Sequence, residues 1–452
     1  MKKSILLAIC IIFSVSAHAT QLLEVYQQAL ISDPIFQQAI AQRLSTKEGV
    51  PISIAALLPT ISTSVNPTVT HSAISGSALD SISGRSANPR NNTARTYNLM
   101  LTATQTVFNY AQFASVSGAR SLSKGADATL NAALQNLMVR VASAYFAILR
   151  DEDNLSYSKA TKAAFAQQLN QIKQQFKVGL KTTTDLYTAQ ASYDSAVANY
   201  ITTQTILAND RENLRAITNT YYPHLSSLSE KFPLTSPDPH DIEKWVHTSE
   251  RQNWTIKSSQ YNVQNALQVI KQQFAGHLPT VNIQGSLNRE YQNNINGYQS
   301  LLDNGGAGVI TNKAVAINIS LPLFAGGGVV AQTNQATYDY QVAQQQLEQV
   351  IRSTLNATRQ SYLNVTAGIS QIAADKETVK STISSLRGME ASYAVGTETL
   401  VNVLNQQQNV FQAQTRYAID RYAFVNNVLQ LKQAAGTLSF EDLQAINQWL
   451  IH

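Results

Sequence analysis

Two stretches of this chain, 217 residues apart, carry the same seven-residue ladder of large apolar side chains, and no other feature narrows the fold as far. One ladder is Leu186, Tyr193, Tyr200, Leu207 and Leu214; the other is Val403, Val410, Tyr417, Phe424 and Leu431. A strict seven-residue repeat keeps one seam of a helix turned toward a neighbour, so each ladder predicts a helix coiled against partners. Each follows a glycine turn, Lys177-Val178-Gly179-Leu180 before the first and Ala394-Val395-Gly396-Thr397 before the second. Two copies predict an internal duplication.

The rest of the chain repeats in the same order. A modest helix is expected over 22–49 and again over 241–276. A strand opens each time on the same tripeptide, Leu58-Pro59-Thr60 and Leu278-Pro279-Thr280. Polar Gly/Ser/Asn-rich loops follow at 73–93 and 292–311, then returning strands ending at Phe108 and Phe324. Very long helices are expected from about Tyr110 to Lys177 and from about Val329 to Tyr393, each reaching about 100 Å at 1.5 Å per residue. The first carries Leu130, Leu134, Leu137, Val141, Ala144 and Ile148. The second carries Tyr362, Val365, Ile369, Ile372, Lys376, Val379, Ile383 and Leu386, also in steps of three and four. The expected division is 1–19 as a leader, 20–237 as the first repeat and 238–452 as the second.

The leader reading rests on Lys2 and Lys3, the short apolar run Ile5–Val15 and the small-residue pattern Ala17-His18-Ala19. Cys10 is the sole cysteine and falls inside it, so no disulfide or thiolate chemistry is expected beyond. Charged residues are 13%, about half the usual share, with Gln, Asn, Ser and Thr supplying the polarity. The net charge of +5 includes the two leader lysines, and no Lys/Arg run stands out, so no nucleic-acid partner is expected. No run of eighteen uninterrupted apolar residues follows the leader, so no helical membrane span is expected.

The strands alternate. Val315, Ile317, Ile319, Leu321 and Leu323 share one face, while Ala316, Asn318 and Ser320 share the other. Such a strand is either half of a soluble hairpin or a membrane strand with lipid on one side and water on the other. The 100 Å helices favour the second. Four strands cannot close a barrel alone, and open edges in lipid are forbidden, so several chains must share one. Three chains give twelve strands and a lumen.

Two motifs mislead. Gly326-Gly327-Gly328-Val329-Val330-Ala331 fits a dinucleotide fingerprint, with Glu348 about twenty residues on. The helix that follows is far too long for a βαβ unit, so a tight strand-to-helix corner is expected, with no cofactor. His240 and His247 match no zinc spacing. No nucleophile motif occurs, and no enzyme is expected.

Five strings then carry a specific resemblance: Phe176-Lys177-Val178-Gly179-Leu180 with Thr184-Asp185; Ile217-Thr218 with Tyr221-Tyr222-Pro223; Gly276-His277-Leu278-Pro279-Thr280; Leu321-Pro322-Leu323-Phe324 with Gly326-Gly327; and Met389 through Thr397. The chain resembles the TolC family of outer-membrane efflux proteins over essentially everything after the leader. The resemblance implies an α+β membrane protein: a homotrimer with a twelve-stranded barrel in outer-membrane lipid, four strands per chain, continuous with a twelve-helix coiled-coil tunnel in the periplasm. It implies a passive exit for drugs or type I secreted proteins, working with a periplasmic adaptor and an inner-membrane pump or ABC transporter. It also implies a periplasmic gate in which Asp185 and Tyr393 join an arginine, with aspartate rings beyond. This sequence keeps Thr184, Asp185 and Tyr393, but has Glu398 at the arginine position and Asn402 and Asn405 at the aspartate positions. Glu398 is expected to repel Asp185, with Lys181 as a possible relief. The tips Val178-Gly179-Leu180 and Val395-Gly396-Thr397 are the expected adaptor contacts. The competing function is a barrel-anchored adhesive coiled coil.

Overall fold

The structure is a computed structural model, and its described residues are 19–74, 90–296 and 308–451. The leader and most of the two polar loops lie outside them. Two compact units emerge. One holds 44–126 and 260–346; the other holds the chain up to Arg43, Asp127–Ser259 and everything from Leu347 on.

The first unit is built on a four-stranded antiparallel sheet in the order β1 (Thr60–Ile74), β2 (Arg90–Phe108), β3 (Thr280–Asn296), β4 (Gly308–Ser320). β1 and β3 open on the threonine of the repeated tripeptide. Directly opposed residues share a face, and the register places like with like. Val65 lies opposite Leu99, Leu101 opposite Leu287, and Ile283 opposite Ile317. On the other face Asn66 lies opposite Asn98, and Thr102 opposite Ser286. The apolar face is bare: Val315 is 81%, Ile317 66% and Ile319 70% exposed. Burying such side chains in apolar surroundings is worth roughly 1.5–3 kcal/mol each, so a solvated sheet of this kind would be unstable. Arg289 and Lys313 interrupt this face, opposite Leu99 and Leu287. β1 and β4 are the open edges, which membrane strands cannot leave unpaired. β4 stops four residues before Phe324, because Pro322 donates no backbone hydrogen bond. Gly326 and Gly327 then take positive φ (61° and 81°) and make the tight corner into the next helix.

Each expected modest helix is in fact two. α1 (Leu22–Ser32) and α2 (Pro34–Ala55) break at Asp33; α5 (Ile242–Gln252) and α6 (Trp254–Phe274) break at Asn253. Both residues cap the second helix: Phe36 N donates to Asp33 Oδ2 at 2.8 Å, and Ile256 N to Asn253 Oδ1 at 3.2 Å. The pair Arg140–Asp33, at 2.6 Å, holds the first break.

The long helices are α3 (Tyr110–Lys177, 68 residues) and α7 (Gly328–Ala394, 67 residues). They return as α4 (Thr183–Thr218) and α8 (Leu400–Ala435), and α9 (Phe440–Asn447) follows. Leu207, Leu214, Val403, Phe424 and Leu431 of the ladders are buried; the other rungs are half-buried. One window of α3 is long and apolar enough to cross a membrane, but half of it is buried inside the protein. Its apolarity goes into the main core, where Leu137, Val141, Tyr145 and Phe146 meet Tyr422 and Phe424 of α8. Lys376 departs from its expected rung and is exposed, the polar exception in that stripe.

Candidate periplasmic gate and hairpin tips

A second, smaller core joins the far ends of the two hairpins. Phe165, Leu169 and Ile172 of α3 pack with Ala189 and Ala196 of α4 and with Leu400 and Leu404 of α8; Leu186, Tyr193 and Tyr393 flank them. The turns beyond this core are copies of each other. Gly179 and Gly396 take φ of 79° and 82°, a region in which an L side chain is strained. In the first turn Gly179 N donates to Phe176 O at 3.0 Å and Leu180 N to Gln175 O at 2.9 Å. In the second, Gly396 N donates to Tyr393 O at 3.1 Å and Thr397 N to Ser392 O at 3.0 Å. These are paired Schellman closures, which satisfy the last carbonyls of α3 and α7. Val178 (70%), Leu180 (73%) and Val395 (76%) stand bare around the glycines.

Three residues after each glycine a threonine starts the return helix. Thr182 and Asp185 form a full capping box: Asp185 N donates to Thr182 Oγ1 at 3.1 Å, and Thr182 N to Asp185 Oδ2 at 3.1 Å. These bonds, with Lys181 nearby, hold the Asp185 carboxyl below its usual value. At the same place in α8, Asn402 N donates to Thr399 Oγ1 at 3.3 Å. Glu398 accepts from Thr399 N at 2.8 Å and from Asn402 Nδ2 at 2.6 Å, and these bonds lower its pKa. Asp185 and Glu398 are thus each turned onto their own helix start.

Tyr393 is not bonded to Asp185. Its buried hydroxyl has no hydrogen-bond partner among the described residues, while Lys181 Nζ sits 4.6 Å from the centre of its ring. Lys181 therefore lies over the tyrosine of α7, and its charge acts on the carboxylate of α4. Tyr393 and Lys181 line a polar cavity of about 760 Å³ together with Gln168, Gln171, Gln175 and Glu390. Gln168 Nε2 and Gln175 Oε1 are also buried without partners. Thr184 is exposed beside the box; Asn402 and Asn405 are exposed on the first turns of α8. The sequence reading passed over Thr182 and Thr399, although Thr-x-x-Asp before an apolar run is a helix-start signal.

A bare apolar sheet with open edges, carried between duplicated hairpins of this length, has a known counterpart. The chain matches the family model described as outer membrane efflux protein over residues 25–220 and 245–437. The chain belongs to the outer membrane efflux protein family. It is 34% identical over 445 residues to the outer membrane protein TolC of Escherichia coli strain K12, covering 97% of this chain and 86% of TolC. It is 26% identical over 437 residues to the alkaline protease secretion protein AprF of Pseudomonas aeruginosa, covering 95% and 87%. Its fold matches the crystal structure of the Campylobacter jejuni CmeC outer membrane channel with a TM-score of 0.76 at 16% identity, covering 95% of this chain and 90% of CmeC. This outer membrane efflux protein is a channel of the efflux and type I secretion class, not an enzyme. Three copies close the barrel, four strands from each, a helical tunnel lies in the periplasm, and the channel works with inner-membrane pump systems. The adhesive reading falls away, because an adhesin needs no strand pair between helices in both halves.

Proposed function

We propose that this protein is a passive exit duct whose periplasmic end opens when an adaptor docks on the Val178-Gly179-Leu180 and Val395-Gly396-Thr397 tips. An inner-membrane efflux pump or ABC transporter supplies the energy and chooses the cargo. The observation that carries this is the pair of matching glycine turns: two bare apolar tips with identical backbone closure, free of side chains at their apex. A partner helix can approach such an apex closely. The name of AprF favours polypeptide among the cargoes, and small drugs are the alternative. The gate residues are Thr184, Asp185, Lys181, Tyr393, Glu398, Asn402 and Asn405. Within it Lys181 acts as the latch between hairpins, through its cation–π contact with Tyr393, a contact worth roughly 0.5–1 kcal/mol at a wet site. We place the boundary between the repeats at 237/238. Drug sensitivity of a strain lacking the gene tests the whole reading. Complementation by the wild type together with failure of Val178→Asp/Val395→Asp, at equal trimer levels, is expected; full complementation by that variant sinks the docking site.

A further inference from the structure

Asp375 of α7 and Asp420 of α8 flank the same guanidinium, that of Arg416, across the second hairpin. Asp375 is 6% exposed. One of its oxygens accepts from Gln371 Nε2 at 3.1 Å. Oδ2 of Asp375 and Oδ2 of Asp420 are both buried, with no hydrogen-bond donor among the described residues. Arg416 Nε lies 3.7 Å from Asp375 and 3.6 Å from Asp420, too far for a good hydrogen bond, on a largely exposed side chain. The first hairpin handles the same rungs differently. There, 217 residues earlier, stand Ser158 and Thr203, whose hydroxyls bond at 2.9 Å. Its own carboxylate pair, Asp151 and Asp210, has Arg150 at 2.7, 3.0 and 3.3 Å.

Two carboxylates this close, Asp375 buried and Asp420 half-buried, cannot both ionise cheaply, and a proton between them would supply the donor each Oδ2 lacks. We propose that Asp375 and Asp420 share one proton across the α7–α8 seam, and that losing it loosens the second hairpin. As regulation of the gate, this rests on the proposed opening of the periplasmic end and takes the second hairpin as the part that moves. The charged groups acting on Asp420 are Asp375 from α7 and Arg416 from α8; Lys376 and the pair Glu377–Lys380 are exposed. Burial chiefly, then the bond and charge of Asp375, push Asp420 up to about 6, against the opposing Arg416. A raised carboxyl contributes stability that is complete below its ordinary value of 3.8 and lost as pH rises through about 6. The seam is tightest in acid and loosest at neutral pH.

The test uses the purified full-length trimer and the double variant Asp375→Ser/Asp420→Thr, which installs the hydroxyl pair of the first hairpin. Infrared difference titration should show a protonated-carboxyl band fading near pH 6 in the wild type and missing from the variant. Amide exchange in α7 and α8 around these residues, divided by the intrinsic rate, should rise by up to about tenfold from pH 5 to 7 in the wild type only. The single variant Asp420→Asn should likewise hold the rate at its acid value. No titrating band, or the same pH response in all three proteins, overturns the proposal. Failure of the duct reading looks different: no pore forms in a planar bilayer at any pH, while the band still titrates.

Discussion

Three glycines with positive φ separate backbone strain from packing. Gly396, at the second tip, has φ 82°, and a Cβ built there meets nothing within 4 Å. Gly396→Ala therefore costs only the left-handed conformation, about 1–2 kcal/mol per chain. Gly436, which ends α8, has φ 75°, and a Cβ there would sit 2.6 Å from the carbonyl carbon and oxygen of Gln252 and 2.7 Å from Asn253 Cα. Those are backbone atoms at the α5–α6 break, and the break is pinned to the end of α8: Ser249 Oγ and Asn253 Nδ2 donate to Ala434 O at 2.8 and 3.0 Å. No rotamer change relieves the overlap, so Gly436→Ala adds about 1–3 kcal/mol of overpacking to the strain. Together that is about 2–5 kcal/mol per chain, repeated in each of three subunits. The assay is folded trimer recovered from outer-membrane extracts, set beside drug resistance in a strain lacking the gene. Gly436→Ala should lose the trimer and the resistance together. Gly396→Ala and its counterpart Gly179→Ala should keep the trimer and lose resistance, because a methyl at the apex stands where the adaptor approaches. Equal loss of trimer from Gly396→Ala and Gly436→Ala would refute the packing argument. Full resistance in both tip variants would remove the tips from docking.

Further outcomes follow from the same geometry. Lys181→Gln removes the cation from the Tyr393 ring and should raise the resting conductance of purified channels; an unchanged conductance puts the latch elsewhere. Asn405→Asp, three copies per channel, should install block by multivalent cations from the periplasmic side, where the wild type with its uncharged amides shows little; block already present in the wild type would count against this reading. Thr182→Ala breaks the capping box and should cost about 1 kcal/mol of hairpin stability, read as faster amide exchange in the first turns of α4. Asp185, held below its usual value, contributes stability that is lost only as pH falls beneath the ordinary 3.8. Exchange at the start of α4 should therefore stay flat from pH 5 to 7, the interval in which α7 and α8 respond.

How much of this was legible in the sequence depended on the range of the interaction concerned. The long helices and their turns could be read, because a heptad and a glycine are local patterns with one physical cause each. The strands could be placed at Thr60 and Thr280 because proline fixes the residue before them. The breaks at Asp33 and Asn253 were missed: the apolar pattern runs on through both, although Pro34 marks the first, while at Asn253 only a side-chain cap ends the helix. The gate was read by likeness of position, which passed over Thr182, the local partner three residues from Asp185. Asp375 and Asp420 are 45 residues apart and meet only once the register of α7 against α8 is fixed, which no single helix reveals. That register also explains why the duplication matters. Two hairpins share a backbone plan and differ in the polar chemistry of equivalent rungs: hydroxyls at Ser158 and Thr203, carboxyls at Asp375 and Asp420. The first seam ties its carboxylates Asp151 and Asp210 to Arg150, whereas the second leaves an Oδ2 of Asp375 and of Asp420 without a donor. An asymmetry placed on one hairpin of an otherwise matched pair is what a duct needs if one half of its wall is to hold still while the other moves.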